Sequence, residues 1–106
     1  MEYVSRLLEV IATAYCPCII CCGEYSDGIT STGRDASLPG VAVDPKIIRL
    51  GSRMDIPGYG RGNNGSWILV DDVGEAIKGN KIDVRFDTHR EAKKWGRKKI
   101  TIRIWT

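Results

Sequence analysis

Only one stretch of this chain carries the marks of a helix, and that scarcity does most to restrict its fold. Thr88-x-x-Glu91 is a capping box, in which a hydroxyl and a carboxylate satisfy the orphan amides at a helix start. The helix it opens should run to about Trp95 and stop at Gly96, a glycine in the expected terminating place. The rest reads as short β-forming runs punctuated by glycine and proline. Residues 4–15 are rich in β-formers and roughly alternating. Val41-Ala42-Val43-Asp44 is a short buried run closed by Pro45, and Arg53-Met54-Asp55-Ile56 is stopped by Pro57-Gly58. Trp67-Ile68-Leu69-Val70 has no polar alternation and reads as a strand buried on both faces. Ile82-Asp83-Val84-Arg85-Phe86 and the strongly alternating residues 99–105 complete the set. With about six strands and no βαβ rhythm, a small closed all-β barrel is expected, which also removes exposed sheet edges.

The connections are as telling as the strands. Residues 16–40 form a long irregular stretch, and loops of that length inside a compact domain are either disordered or functional. Residues 46–50 provide at most one helical turn. The glycine-rich residues 58–65 read as a hairpin tip, and residues 71–81 as a loop. At 106 residues, 42% hydrophobic and 27% charged, the chain is expected to be one globular domain over residues 1–106. No apolar run approaches the ~20 residues needed to cross a bilayer. Glu2, Arg6 and Glu9 interrupt the first fourteen residues, so no signal peptide is expected.

Sixteen Lys and Arg against thirteen Asp and Glu give a net charge of +3, and the excess is unevenly placed. From Arg85 onward Arg90, Lys93, Lys94, Arg97, Lys98, Lys99 and Arg103 face only Asp87 and Glu91. Such a tail favours an anionic partner, or it is a solvated helix face with a lysine-protected edge strand; charge alone does not choose. A nucleic acid is disfavoured because the bases lack interleaved exposed aromatics that would stack nucleobases. Cys16, Cys18, Cys21 and Cys22 all fall within seven residues and do not repeat the spacing of a zinc ribbon. Disulfides, a metal site and free thiols all stay open for them, and no cysteine chemistry, metal or cofactor is assigned to the function.

Three aspartates stand where a core explains polar groups poorly. Asp44 closes an apolar strand, Asp72 follows another, and Asp83 lies between Ile82 and Val84, whose side chains alternation turns to the opposite face. One explanation is structural: an Asp-Pro turn, a cap on the Gly74 turn, and a carboxylate pointing to water. The other is a carboxylate cluster at one mouth of a barrel, where mutual repulsion holds a proton on one member and makes it a general acid.

The residues around these aspartates resemble a known family. The run Asp72-Val73-Gly74-Glu75-Ala76-Ile77-Lys78-Gly79-Asn80-Lys81-Ile82-Asp83-Val84 resembles the 3D domain, named for three aspartates. That domain is shared with membrane-bound lytic transglycosylase A and with stationary-phase-survival-type muralytic proteins. Thr13-Ala14-Tyr15, Gly28-Ile29-Thr30-Ser31-Thr32-Gly33, Val41-Ala42-Val43-Asp44-Pro45, Leu50-Gly51-Ser52 and Glu91-Ala92-x-x-Trp95-Gly96 agree in the same order, over about residues 12–105.

The resemblance implies a six-stranded double-psi β-barrel and cleavage of the β-1,4 bond between N-acetylmuramic acid and N-acetylglucosamine. By position Asp83 matches the catalytic aspartate, and Asp72 and Asp44 its acidic companions, which would keep its proton affinity high. Thr30, Thr32, Lys78 and Gly79 are candidate substrate contacts. Glu75 departs from the family's usual second glycine and could narrow the cleft. Alternation should turn Asp71 away from Asp72. Trp67 and Trp95 are candidates to stack on sugars or to fill the core, and His89 is expected in solvent. The expected partner is a peptidoglycan glycan strand met by a monomer at the bacterial cell wall, by a delivery route the chain does not reveal, with no membrane insertion. The basic tail fits anionic peptide stems and wall polymers. The rival function is a non-catalytic, expansin-like wall-binding module.

Overall fold

The computed structural model describes residues 5–16, 29–59 and 67–105. The chain runs through β1 (Ser5–Tyr15), β2 (Val41–Val43), β3 (Arg53–Asp55), β4 (Ile68–Val73), β5 (Lys81–Arg85), α1 (His89–Trp95) and β6 (Lys98–Trp105). The strands close into a barrel in the order β1-β5-β2-β4-β3-β6. Two of its pairings, β1 with β5 and β2 with β4, are parallel, and the rest are antiparallel. This is the closed barrel with one short helix expected from the sequence, and its parallel pairs fit a double-psi arrangement.

Period-2 alternation builds the interior. Val10 and Ala12 from β1, Val41 and Val43 from β2, Met54 from β3, Ile68 and Val70 from β4, Ile82 and Val84 from β5, and Ile102 and Ile104 from β6 are all buried. Thr101 and Arg103 between the last of these face water. Trp95 closes one side of the core, packed with Phe86 and Tyr59 at ring separations of 5.7 and 6.3 Å, so it fills rather than stacks on a ligand. Thr88 caps α1 through its side chain on the Glu91 amide, and Gly96 ends it at φ +72°.

Three sequence expectations change. The segment 71–81 is not all loop, because β4 continues through Asp71 and Asp72 to Val73. Nor is the run before it buried on both faces: Ile68 and Val70 are buried, while Trp67 and Leu69 are only half-buried. Arg85, counted with the basic tail, is completely buried. It is neutralised within the fold, so the exposed basic excess starts at α1. Residues 60–65 of the expected hairpin tip lie outside the described residues, as do Cys18, Cys21 and Cys22. Cys16 is buried.

Candidate functional site

The inward residues of four neighbouring strands fix what lies on their outer face. Ala12, Ile82, Val84, Val41 and Val43 point inward, so Thr13 on β1, Asp83 on β5 and Ala42 on β2 point outward. Thr13 is paired with Asp83, Asp83 with Ala42, and Ala42 with Asp72 on β4. Four adjacent strands thus lay out a row, Thr13–Asp83–Ala42–Asp72, with a methyl group as the floor between the two carboxylates. Strand spacing puts the two aspartate Cα atoms about 10 Å apart. The row crosses the outer wall of the barrel.

Asp72 joins this row because of a β-bulge. Counting along β4, Asp72 has the parity of Ile68 and Val70 and would enter the core. The register slips between Val41/Ala42 on β2 and Val70/Asp72 on β4, so Asp71 is an extra residue and Asp72 is turned outward. Asp71 is left completely covered, where its carboxylate takes two parallel bonds from Arg85, Nη1 to Oδ1 at 2.9 Å and Nη2 to Oδ2 at 2.7 Å. Arg34 adds a third at 2.7 Å. The remaining Arg85 donors go to the Leu38 carbonyl, at 3.0 and 2.7 Å, and to the Tyr15 hydroxyl at 3.1 Å. Residues 34–40 therefore lie over the ion pair and seal it. Gly40 is required there, since a Cβ would collide with the Arg85 guanidinium and with both Asp71 oxygens.

Tyr15 links this buried pair to the row, because its hydroxyl accepts from Arg85 and donates to Asp72 Oδ2 at 2.9 Å. Burial holds the phenol protonated well above its ordinary range. Asp72 Oδ1 accepts from the backbone amides of Ser31 and Val73, both at 2.9 Å. Its side chain is fixed from three sides.

Asp83 is treated differently. Its side chain is half-buried, and among the described residues its one hydrogen-bond partner is Thr13 Oγ1 at 3.0 Å. Burial pushes its carboxyl up to about 6; the nearby Asp72 charge adds to the rise, while the Thr13 hydroxyl and Lys81 oppose it. The same Thr13 hydroxyl lies 3.3 Å from the Ile82 carbonyl. A hydroxyl can donate to that carbonyl while accepting from a protonated Asp83, or donate to an ionised one. Thr13 therefore suits both protonation states.

The third aspartate has a separate task. Asp44 continues the parity of Ala42 beyond the end of β2, yet its oxygens accept from the Lys46 amide at 3.0 Å and the Gly79 amide at 2.9 Å. Those two bonds lower its carboxyl below the ordinary range. It ties the turn after β2 to the turn before β5, where Gly79 sits at φ +68°. Thr30 and Thr32 are also engaged: their hydroxyls are 3.0 Å apart, Thr32 donates to the Asp71 carbonyl, and Thr30 accepts from the Arg34 amide. Lys78 is exposed. Asp72 and Asp83 are thus brought onto one face, while Asp44, Thr30, Thr32 and Gly79 frame it through backbone contacts. The sequence reading assigned no role to Thr13 or Tyr15 and missed the Asp71–Arg85–Arg34 cluster. A hollow of about 360 Å³ lined by Gly58, Phe86, Glu91, Lys94, Trp95 and Lys98 shares no residue with the aspartate face.

A sequence model described as "3D domain" matches residues 40–106, which takes in β2 through β6 and all three aspartates. The chain belongs to the 3D domain family. It is 36% identical over 104 residues to the "Putative cell wall shaping protein YabE" of Bacillus subtilis (strain 168), covering 97% of this chain and 24% of that protein. It is 38% identical over 107 residues to the "Cell wall-binding protein YocH" of the same organism, 97% of this chain and 34% of that protein. A third relative there, the "SPbeta prophage-derived uncharacterized protein YorM", is 35% identical over 101 residues, 89% of this chain and 40% of that protein. The 3D chain thus spans between a quarter and two fifths of the length of these relatives.

Proposed function

We propose that this 3D domain acts at the bacterial cell wall as a lytic transglycosylase, cutting peptidoglycan between N-acetylmuramic acid and N-acetylglucosamine. The supporting observation is Asp83: a half-buried carboxyl, held up at about 6, on a face it shares with a fixed second carboxylate. A proton retained near neutral pH is what a general acid requires. Protonated Asp83 donates to the glycosidic oxygen as the bond to muramyl C1 breaks and oxocarbenium character develops. The muramyl C6 hydroxyl then attacks C1, and its proton passes to the Asp83 carboxylate. A 1,6-anhydro ring closes and the acid is restored, so one group serves both steps and no water is consumed. Asp72 favours the protonated state of Asp83 by its charge and lies across Ala42, where it faces the developing cation. Asp44 serves this face by fixing the Gly79 turn.

The name of the YocH relative favours a second reading, in which the same face binds wall glycan without cutting it. Mass spectrometry of purified peptidoglycan after incubation separates the two. The catalytic reading expects muropeptides ending in anhydro-muramic acid, one water lighter than hydrolysis products, and expects Asp83→Asn to abolish them. Retention on the wall with no released product would establish the binding reading instead. Anhydro products that persist in Asp83→Asn would refute the assignment of Asp83.

A further inference from the structure

The helix α1 carries its charges in a way that helix stability does not explain. Arg90, Lys93 and Lys94 stand at i, i+3 and i+4, so their side chains share one face, and all three are exposed. Together with His89 they line a shallow open hollow of about 530 Å³. None of the three side chains has a hydrogen bond or ion pair among the described residues. The helix's one acid, Glu91, is turned to the N-cap, where its Oε1 accepts from Thr88. Lys98, the next cation along, lies 3.9 Å over the Trp95 ring.

Lys93 and Lys94 suit the negative end of the helix dipole, but Arg90 sits in the first turn, where a cation is disfavoured. Like charges at these spacings also repel, by a few tenths of a kcal/mol per pair. A seven-residue helix has little stability of its own to spare. This repulsion is relieved by a multivalent anion, and the side-chain spacing sets its character. Long cationic side chains rooted ~5–6 Å apart at their Cβ atoms match a chain bearing an anion on every short repeat better than isolated carboxylates on peptide stems. Resting on the wall reading above, we propose that the Arg90–Lys93–Lys94 face is a second binding site, for a phosphodiester-linked anionic polymer of the cell wall. It anchors the domain while the aspartate face meets glycan.

The test is sedimentation of the protein with purified Gram-positive walls, intact or stripped of phosphodiester-linked polymers with hydrofluoric acid. Stripping should weaken wild-type binding about tenfold or more. The variant Arg90→Gln/Lys93→Gln/Lys94→Gln should lose a similar factor on intact walls and match wild type on stripped ones. Its log–log salt dependence should be shallower by about two, as loss of three charges from a flexible polyanion contact requires. A charge-preserving Arg90→Lys/Lys93→Arg/Lys94→Arg variant should bind as wild type, which excludes misfolding as the cause. Equal binding of wild type and the glutamine variant to intact walls overturns the proposal, as does indifference of wild type to stripping. So does competition by duplex DNA at lower phosphate concentration than the released polymer. If the charge-dependent binding appears but no anhydro product does, this site stands and the transglycosylase reading falls.

Discussion

Replacing Asp83 by asparagine should stabilise the protein at neutral pH while removing its activity. The folded carboxyl binds its proton at about 6 against an ordinary value of 3.8. Roughly two powers of ten in proton affinity, at 1.36 kcal/mol each, amount to about 3 kcal/mol. Because the group is half-buried rather than sealed, about 2–3 kcal/mol is the reasonable range. The sign follows from which state holds the proton more tightly. Below about pH 3 both states are protonated and there is no penalty. As pH rises from about 3 to 6 the unfolded chain releases its proton first, and the native state loses stability; above about 7 the loss is complete. Asparagine keeps an oxygen for the Thr13 hydroxyl and never ionises. Urea unfolding of both proteins at pH 4, 5, 6 and 7.5 gives the difference directly, and Asp35 and Asp44, whose lowered carboxyls act in the opposite direction, cancel in it. The variant should lie within about 1 kcal/mol of wild type near pH 4 and exceed it by about 2–3 kcal/mol at pH 7.5, worth about 10 °C in Tm for a domain of this size. A difference that stays flat with pH, or that favours wild type at pH 7.5, would show that burial does not hold the Asp83 proton, and the general-acid argument would lose its basis.

The same protonation sets the pH profile: kcat/KM for anhydro-muropeptide release should fall above about pH 6, and the falling limb should follow the Asp83 carboxyl titration seen by NMR. Asp71→Asn should cost about 3–5 kcal/mol in urea unfolding, because it leaves the completely buried Arg85 without its counter-charge. The double variant Asp71→Leu/Arg85→Met should cost less than either single change, since it removes both charges from the interior. Gly40→Ala should cost about 1–3 kcal/mol by the same measurement, as its methyl group must displace the Arg85–Asp71 pair. Equal stability of wild type and Gly40→Ala would mean that residues 34–40 do not press on that pair.

Two kinds of information in the sequence differ in how far they reach. The barrel was legible because each strand states its own alternation: Ile102 and Ile104 against Thr101 and Arg103 can be oriented with no knowledge of their neighbours. The helix was legible for the same reason, since the Thr88 cap and the Gly96 stop are local chemistry. The candidate site depends instead on registers between strands far apart in the chain. Nothing around Asp71 announces a bulge, which exists only as a slip of β4 against β2 some thirty residues earlier. That slip decides which of two adjacent aspartates faces out to share a surface with Asp83 and which turns to Arg85. Arg85 could not be told from the surface bases of the tail, because its burial is made by Leu38 and Gly40 folding over it from another part of the chain. The charge of Arg85 is fixed by sequence, but its meaning is set by what covers it. The exposed Arg90, Lys93 and Lys94 are the converse case: with no covering segment among the described residues, their charge is left for a partner.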